Sequence, residues 1–208
     1  MKKLLTLTLA LLLLVTAPLA LASCGVRLPG DSHYRLAEEG EESDYVAILV
    51  KGYGAIVVEL YPDEAPITVA NFKKLVKADF YEGTTFHRVI EDFMIQGGAS
   101  AKGESASMIT GEFEANNYRN DLLHERGVIS MARYQDPYYN SASSQFFIVQ
   151  TDDPERTEHL DGKYAAFGRV VEGMDVVDAI AVVETDGSDA PLRKVTVERI
   201  CFAIPKKQ

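Results

Sequence analysis

Apolar residues fill the chain from Tyr45 to Val50 without a polar break, and return through most of Ala55 to Tyr61. Runs of this length bounded by turn formers predict two strands, joined as a hairpin at Lys51-Gly52-Tyr53-Gly54. Pro62 and Pro66 break the extended pattern. Val69, Phe72, Leu75, Val76 and Phe80 then recur at helical spacing, which predicts a helix over 67–79. Strand-like runs follow at 85–90, 93–97, 110–113, 127–131, 145–149 and 165–171. After the turn Glu172-Gly173, Met174 to Val183 predicts a second helix, and 192–202 a closing strand. Many short strands with two isolated helices point to a mainly β protein whose sheet closes on itself, not to alternating strand–helix units.

The start of the chain has a different pattern. Met1 to Lys3 form a basic start, and Leu4 to Val15 are apolar apart from Thr6 and Thr8. Small residues then lead to Leu21-Ala22-Ser23-Cys24. Residues 1–23 are therefore expected to be a secretory signal, too short in its apolar core for a membrane span. The ending resembles a bacterial lipobox, which implies that Cys24 is lipidated and anchors the chain outside the cytoplasm; a plain secretory signal cleaved near Cys24 is the alternative. Residues 24–43 are polar and carry acids at 38, 39, 41 and 42, which suggests a flexible acidic tether. The folded domain is expected over 44–208.

Composition adds limits. The chain is 47% hydrophobic and 25% charged, ordinary for a globular domain. Its net charge of −10 becomes −12 once Lys2 and Lys3 are removed with the signal. That balance argues against nucleic acid, and against a membrane contact made through charge rather than through lipid. With Cys24 acylated, Cys201 would stand alone in a strand as a buried, inert thiol.

Candidate chemistry starts from what is missing. The histidines at 33, 87, 124 and 159 have no zinc-ligand spacing, and there is no phosphate loop, dinucleotide fingerprint or nucleophile elbow. No metal or cofactor is expected. Long polar side chains do sit among aromatics. Strand parity puts Met94 and Gln96 on one face, and a turn over 90–93 would bring Arg88 to the same surface. In Ser144-Gln145-Phe146-Phe147-Ile148 one Phe must face the core and the other outward. A third cluster is His159-Leu160-Asp161-Gly162-Lys163-Tyr164. On spacing alone Phe93, Met94, Phe147 and Leu160 fit plain core, and Arg88 fits a surface ion pair with Glu91 or Asp92.

The segments FHRVIEDFMIQGG (86–98), GVISMA (127–132), SSQFFI (143–148) and HLDGKYAAFGRVVEGMDVVD (159–178) resemble cyclophilins, the peptidyl-prolyl cis-trans isomerase family. The likeness runs in order from about 45 to 203. It implies a closed eight-stranded antiparallel barrel capped by two α-helices. It also implies Arg88 as the catalytic arginine with Gln96 beside it. Phe93, Met94, Ala132, Arg133, Gln145, Phe147, His159, Leu160 and Tyr164 would bind substrate. Arg133 replaces the usual asparagine, His159 the usual tryptophan and Tyr164 the usual histidine, and the loop after Gly98 lacks the family's glycines.

His159 in the tryptophan position implies weaker cyclosporin binding than in family members that keep the indole donor. The implied partners are proline-containing unfolded or exported polypeptides, handled by a monomer. The alternative on the same barrel is a binding module or holdase that grips proline segments without turnover. A solute-binding lipoprotein ranks behind both, because the inward candidates are bulky.

Overall fold

The structure, a computed structural model, describes residues 27–103 and 105–207. The expected signal and Cys24 lie outside the described residues. Among these, the strands are β1 (Tyr34–Leu36), β2 (Tyr45–Val50), β3 (Gly54–Leu60), β4 (Thr85–Phe86), β5 (Arg88–Ile90), β6 (Met94–Gly97), β7 (Val128–Met131), β8 (Phe146–Val149), β9 (Ala166–Glu172) and β10 (Val195–Pro205). Two helices, α1 (Pro66–Lys77) and α2 (Met174–Ala181), complete the order.

All strand pairings are antiparallel and form one sheet in the order β1-β10-β2-β3-β9-β7-β8-β6-β5, with β4 also on β10. The mainly β architecture with two helices agrees with the sequence pattern. The expected closed, eight-stranded ladder does not appear: the sheet has ten strands and its hydrogen-bonded path ends at β5. Two local causes account for the strand count. His87 interrupts the run 85–90, so β4 pairs with β10 while β5 pairs with β6. β1 comes from the segment expected to be a tether.

That expectation fails over 32–43. β1 pairs with the last residues of β10, Tyr34 opposite Pro205 and Leu36 opposite Ala203. Ser32 Oγ donates to Glu172 Oε2 at 2.6 Å, and the His33 backbone N–H donates to Glu172 Oε1 at 2.8 Å. Leu28, Tyr34 and Leu36 pack on a cluster of Ala47, Leu49, Ala55, Val57 and Ala203. β2 is thus covered on both faces. Val46, Ile48 and Val50 enter the main core, while Ala47 and Leu49 lie under the N-terminal segment. Cys201 lines this second cluster and is half-buried, less enclosed than expected.

The main core gathers around Phe72 of α1, whose ring touches those of Tyr81, Phe146 and Phe167 at 5.2–5.7 Å between centroids. The run 110–113 is not a strand. It makes one isolated bridge beside it, Ile109 with Ala142, and Glu112 turns fully inward. The close approach here requires Gly111: a Cβ would collide with the Tyr139 carbonyl oxygen and the Phe113 ring.

Candidate active site

Three neighbouring strands set out a row of side chains. Arg88 on β5 is opposite Gln96 on β6, and Gln96 is opposite Phe147 on β8. Met94 lies two residues before Gln96 and therefore on the same face. The β5–β6 turn between Ile90 and Met94 supplies Phe93. Phe146 points into the main core, whereas Phe147 joins a separate cluster with Met94, Val149 and Leu160, flanked by Ile90, Phe93, Ala132 and Tyr164. The period of two thus separates core from site within one strand.

Arg88, Phe93, Met94, Gln96, Ala132, Arg133, Phe147, His159, Leu160 and Tyr164 line a single cleft of about 280 Å³. That size suits one side chain or ring rather than a large ligand. Of the expected substrate-binding residues, only Gln145 is not in the lining. Its Oε1 instead accepts from Gln96 Nε2 at 3.1 Å, which fixes the orientation of Gln96.

Arg88 is half-exposed, and its Nε donates to Asp189 Oδ2 at 3.2 Å. The partner is therefore Asp189, on the loop before β10, and not Glu91 or Asp92. The terminal guanidinium nitrogens make no hydrogen bond to the described residues, so they remain available as donors. His87 next door is held below its ordinary pKa by burial, which keeps a second positive charge away from Arg88.

Arg133 has a different role. Its side chain is 3% exposed and its guanidinium stands over the rings of Tyr164, Phe113 and Tyr139 at 4.6–5.3 Å. It donates to the Lys163 and Tyr134 carbonyl oxygens and to Asp136 Oδ1. With its donors so engaged, Arg133 fastens the cleft wall and is not a second free cation. His159 faces Phe93 at 5.9 Å between centroids.

Beneath the cleft, buried His124 and Ser130 join the partly exposed Asp161 in a trio that no sequence motif marks. His124 Nδ1 is 2.8 Å from Asp161 Oδ1, and its Nε2 is 3.0 Å from Ser130 Oγ. Its ring stacks on Phe147 at 5.9 Å and 16°. Burial pushes the His124 pKa down, against the hydrogen bond that its ring donates to Asp161. No motif or spacing in Leu122-Leu123-His124 marks this residue.

A family model for cyclophilin type peptidyl-prolyl cis-trans isomerases matches residues 45–201. The chain belongs to this family. A peptidyl-prolyl cis-trans isomerase of Acinetobacter baylyi is 45% identical over 133 residues, covering 64% of this chain and 69% of the relative. A Streptomyces antibioticus peptidyl-prolyl cis-trans isomerase is 43% identical over 154 residues, covering 70% of this chain and 90% of the relative. The chain spans only 30% of the longer peptidyl-prolyl cis-trans isomerase-like 2 of Gibberella zeae. Among solved structures, a Cryptosporidium parvum cyclophilin crystallised with the dipeptide Ala-Pro matches with a TM-score of 0.63 at 27% identity, over 76% of this chain and 98% of that one. Cyclophilin AquaCyp293 from Hirschia baltica gives 0.64 at 27%, over 81% and 76%.

Proposed function

We propose that the cleft is where this cyclophilin carries out peptidyl-prolyl cis-trans isomerisation, with Arg88 as the catalytic residue and Gln96 as its substrate-positioning neighbour. The Xaa-Pro bond turns slowly because amide resonance gives it double-bond character, with a barrier of about 20 kcal/mol. In the twisted state resonance is lost and the prolyl nitrogen regains a lone pair. A fixed guanidinium beside the cleft can donate to that nitrogen only then, so it lowers the barrier without tightening the ground state. Arg88 is braced through Nε, leaving its outer nitrogens for this task.

Phe93, Met94, Phe147 and Leu160 supply the apolar slot for the pyrrolidine ring. Gln96, locked by Gln145, holds the substrate backbone while the other side rotates. The observation that carries this reading is the row Arg88–Gln96–Phe147 across three paired strands. Exchange spectroscopy on a proline peptide tests it. The wild type accelerates exchange, and Arg88→Ala loses about 100-fold or more with the fold unchanged. An Arg88→Ala rate equal to wild type overturns the assignment.

We also propose that the chain works outside the cytoplasm on exported polypeptides, held by lipid on Cys24. The support is the pattern of Met1 to Cys24 and the acidic body that follows. In cell fractionation the wild type should sediment with membranes, and Cys24→Ser should move to the soluble or secreted fraction. Equal partition of the two would overturn the anchor.

A further inference from the structure

His124 is 2% exposed and Ser130 is fully buried, yet neither lines the cleft. Asp161 follows Leu160 directly, at the end of the short helical turn Glu158–Leu160. One Asp161 oxygen accepts twice from the same residue: from the His124 backbone N–H and from Nδ1, both at 2.8 Å. A carboxylate can only accept here, so the proton sits on Nδ1 and the Nε2 lone pair faces the Ser130 hydroxyl. The ring between these bonds stacks on Phe147 and meets Tyr164 edge-on at 6.5 Å and 83°.

Two of the parts of the chain that make the apolar slot meet at His124. Phe147 comes from β8, opposite Ser130 of β7. Leu160 ends the short helical turn and Tyr164 follows it, in a segment that is not part of the sheet. His124 touches both parts. It is bonded to the residue after Leu160, bonded to the residue opposite Phe147, and stacked on Phe147 itself.

We propose that His124 is a positioning residue for the isomerase reaction, acting with Asp161 to set the spacing between Phe147 and the Leu160–Tyr164 wall. This rests on the reading of the cleft as the prolyl site. A planar ground-state proline can settle in a slot of imperfect width. The twisted state needs the ring held still while the peptide turns about it, so slack in the slot acts on turnover more than on affinity.

The test compares His124→Phe, Asp161→Ala and Asp161→Asn in the full chain by NMR exchange at saturating and limiting proline peptide, with Arg88→Ala alongside. Asn keeps an acceptor oxygen for both His124 donors, whereas Ala does not. His124→Phe and Asp161→Ala should each lower kcat about tenfold with KM changed less than about twofold. Asp161→Asn should restore kcat to within about threefold of wild type. The Phe147 ring resonances should shift in the two damaging variants and return in Asp161→Asn. Wild-type kcat in folded Asp161→Ala overturns the proposal. So does a loss that only follows the unfolded fraction, or one that Asp161→Asn does not repair. Asp161 is partly exposed, so its variants keep the test decisive if His124→Phe does not fold. Should Arg88→Ala retain the wild-type rate, the cleft assignment fails instead, and the two failures are distinguishable.

Discussion

Glu112 shows how far a single residue can act from its place in the chain. Helix α1 starts at Pro66 after Ala65, which offers no side-chain cap. The fully buried Glu112 carboxylate takes that role, accepting from the Ile67 and Thr68 N–H groups at 2.9 and 2.7 Å. A carboxylate suits a helix N-terminus because its charge opposes the helix dipole. Glu112→Ala would leave two enclosed donors without an acceptor and should destabilise the domain by about 1–3 kcal/mol, measured by urea unfolding. From sequence, 110–113 has the alternation of a strand, and local pattern cannot reveal that its glutamate is needed by a helix some forty-five residues earlier. Arg88 has the same lesson in another form. Its partner Asp189 lies 101 residues away, while Glu91 and Asp92, close in sequence, are not the ones it uses. Strand parity, by contrast, put Met94 and Gln96 on one face, while the choice of Phe147 over Phe146 came only with the family resemblance.

At the scale of elements, β1 and its anchor make a small acid-sensitive unit. Burial alone would raise the Glu172 pKa, but donors from Ser32 Oγ, the His33 backbone and the His33 ring hold it below the ordinary glutamate range. A carboxylate depressed in the folded state contributes stability above its ordinary value of about 4.3, and loses it as the pH falls through the lower folded value. Acid should therefore free β1 first. Hydrogen-exchange protection of Ala37, whose N–H bonds the Phe202 carbonyl, should fall on acidification before that of Ile48 in β2. Simultaneous loss at both sites would show that β1 is not a separate unit. The helices and most strands were legible, since their periodicity is carried by core residues. β1 was hidden because three half-buried residues in a polar stretch carry no period. Its trace lay in β2, on which the N-terminal segment packs: Tyr45 to Val50 has no polar face, so something had to cover the side away from the core.

For the whole molecule, the two halves of the sheet divide the work. β1, β10, β2 and β3 carry the second cluster under the N-terminal segment, while β5, β6, β8 and β7 carry or back the cleft. Among the described residues no helix is long and apolar enough to cross a membrane. With Leu28 already packed on the body, the stretch from Cys24 spans four residues, about 14 Å fully extended, against about 70 Å for the twenty residues up to Asp44. An acyl chain at Cys24 would thus moor the enzyme flush with the bilayer instead of letting it roam on a long leash. Were Cys24 acylated as proposed, polypeptides close to the lipid surface would be the ones within its reach.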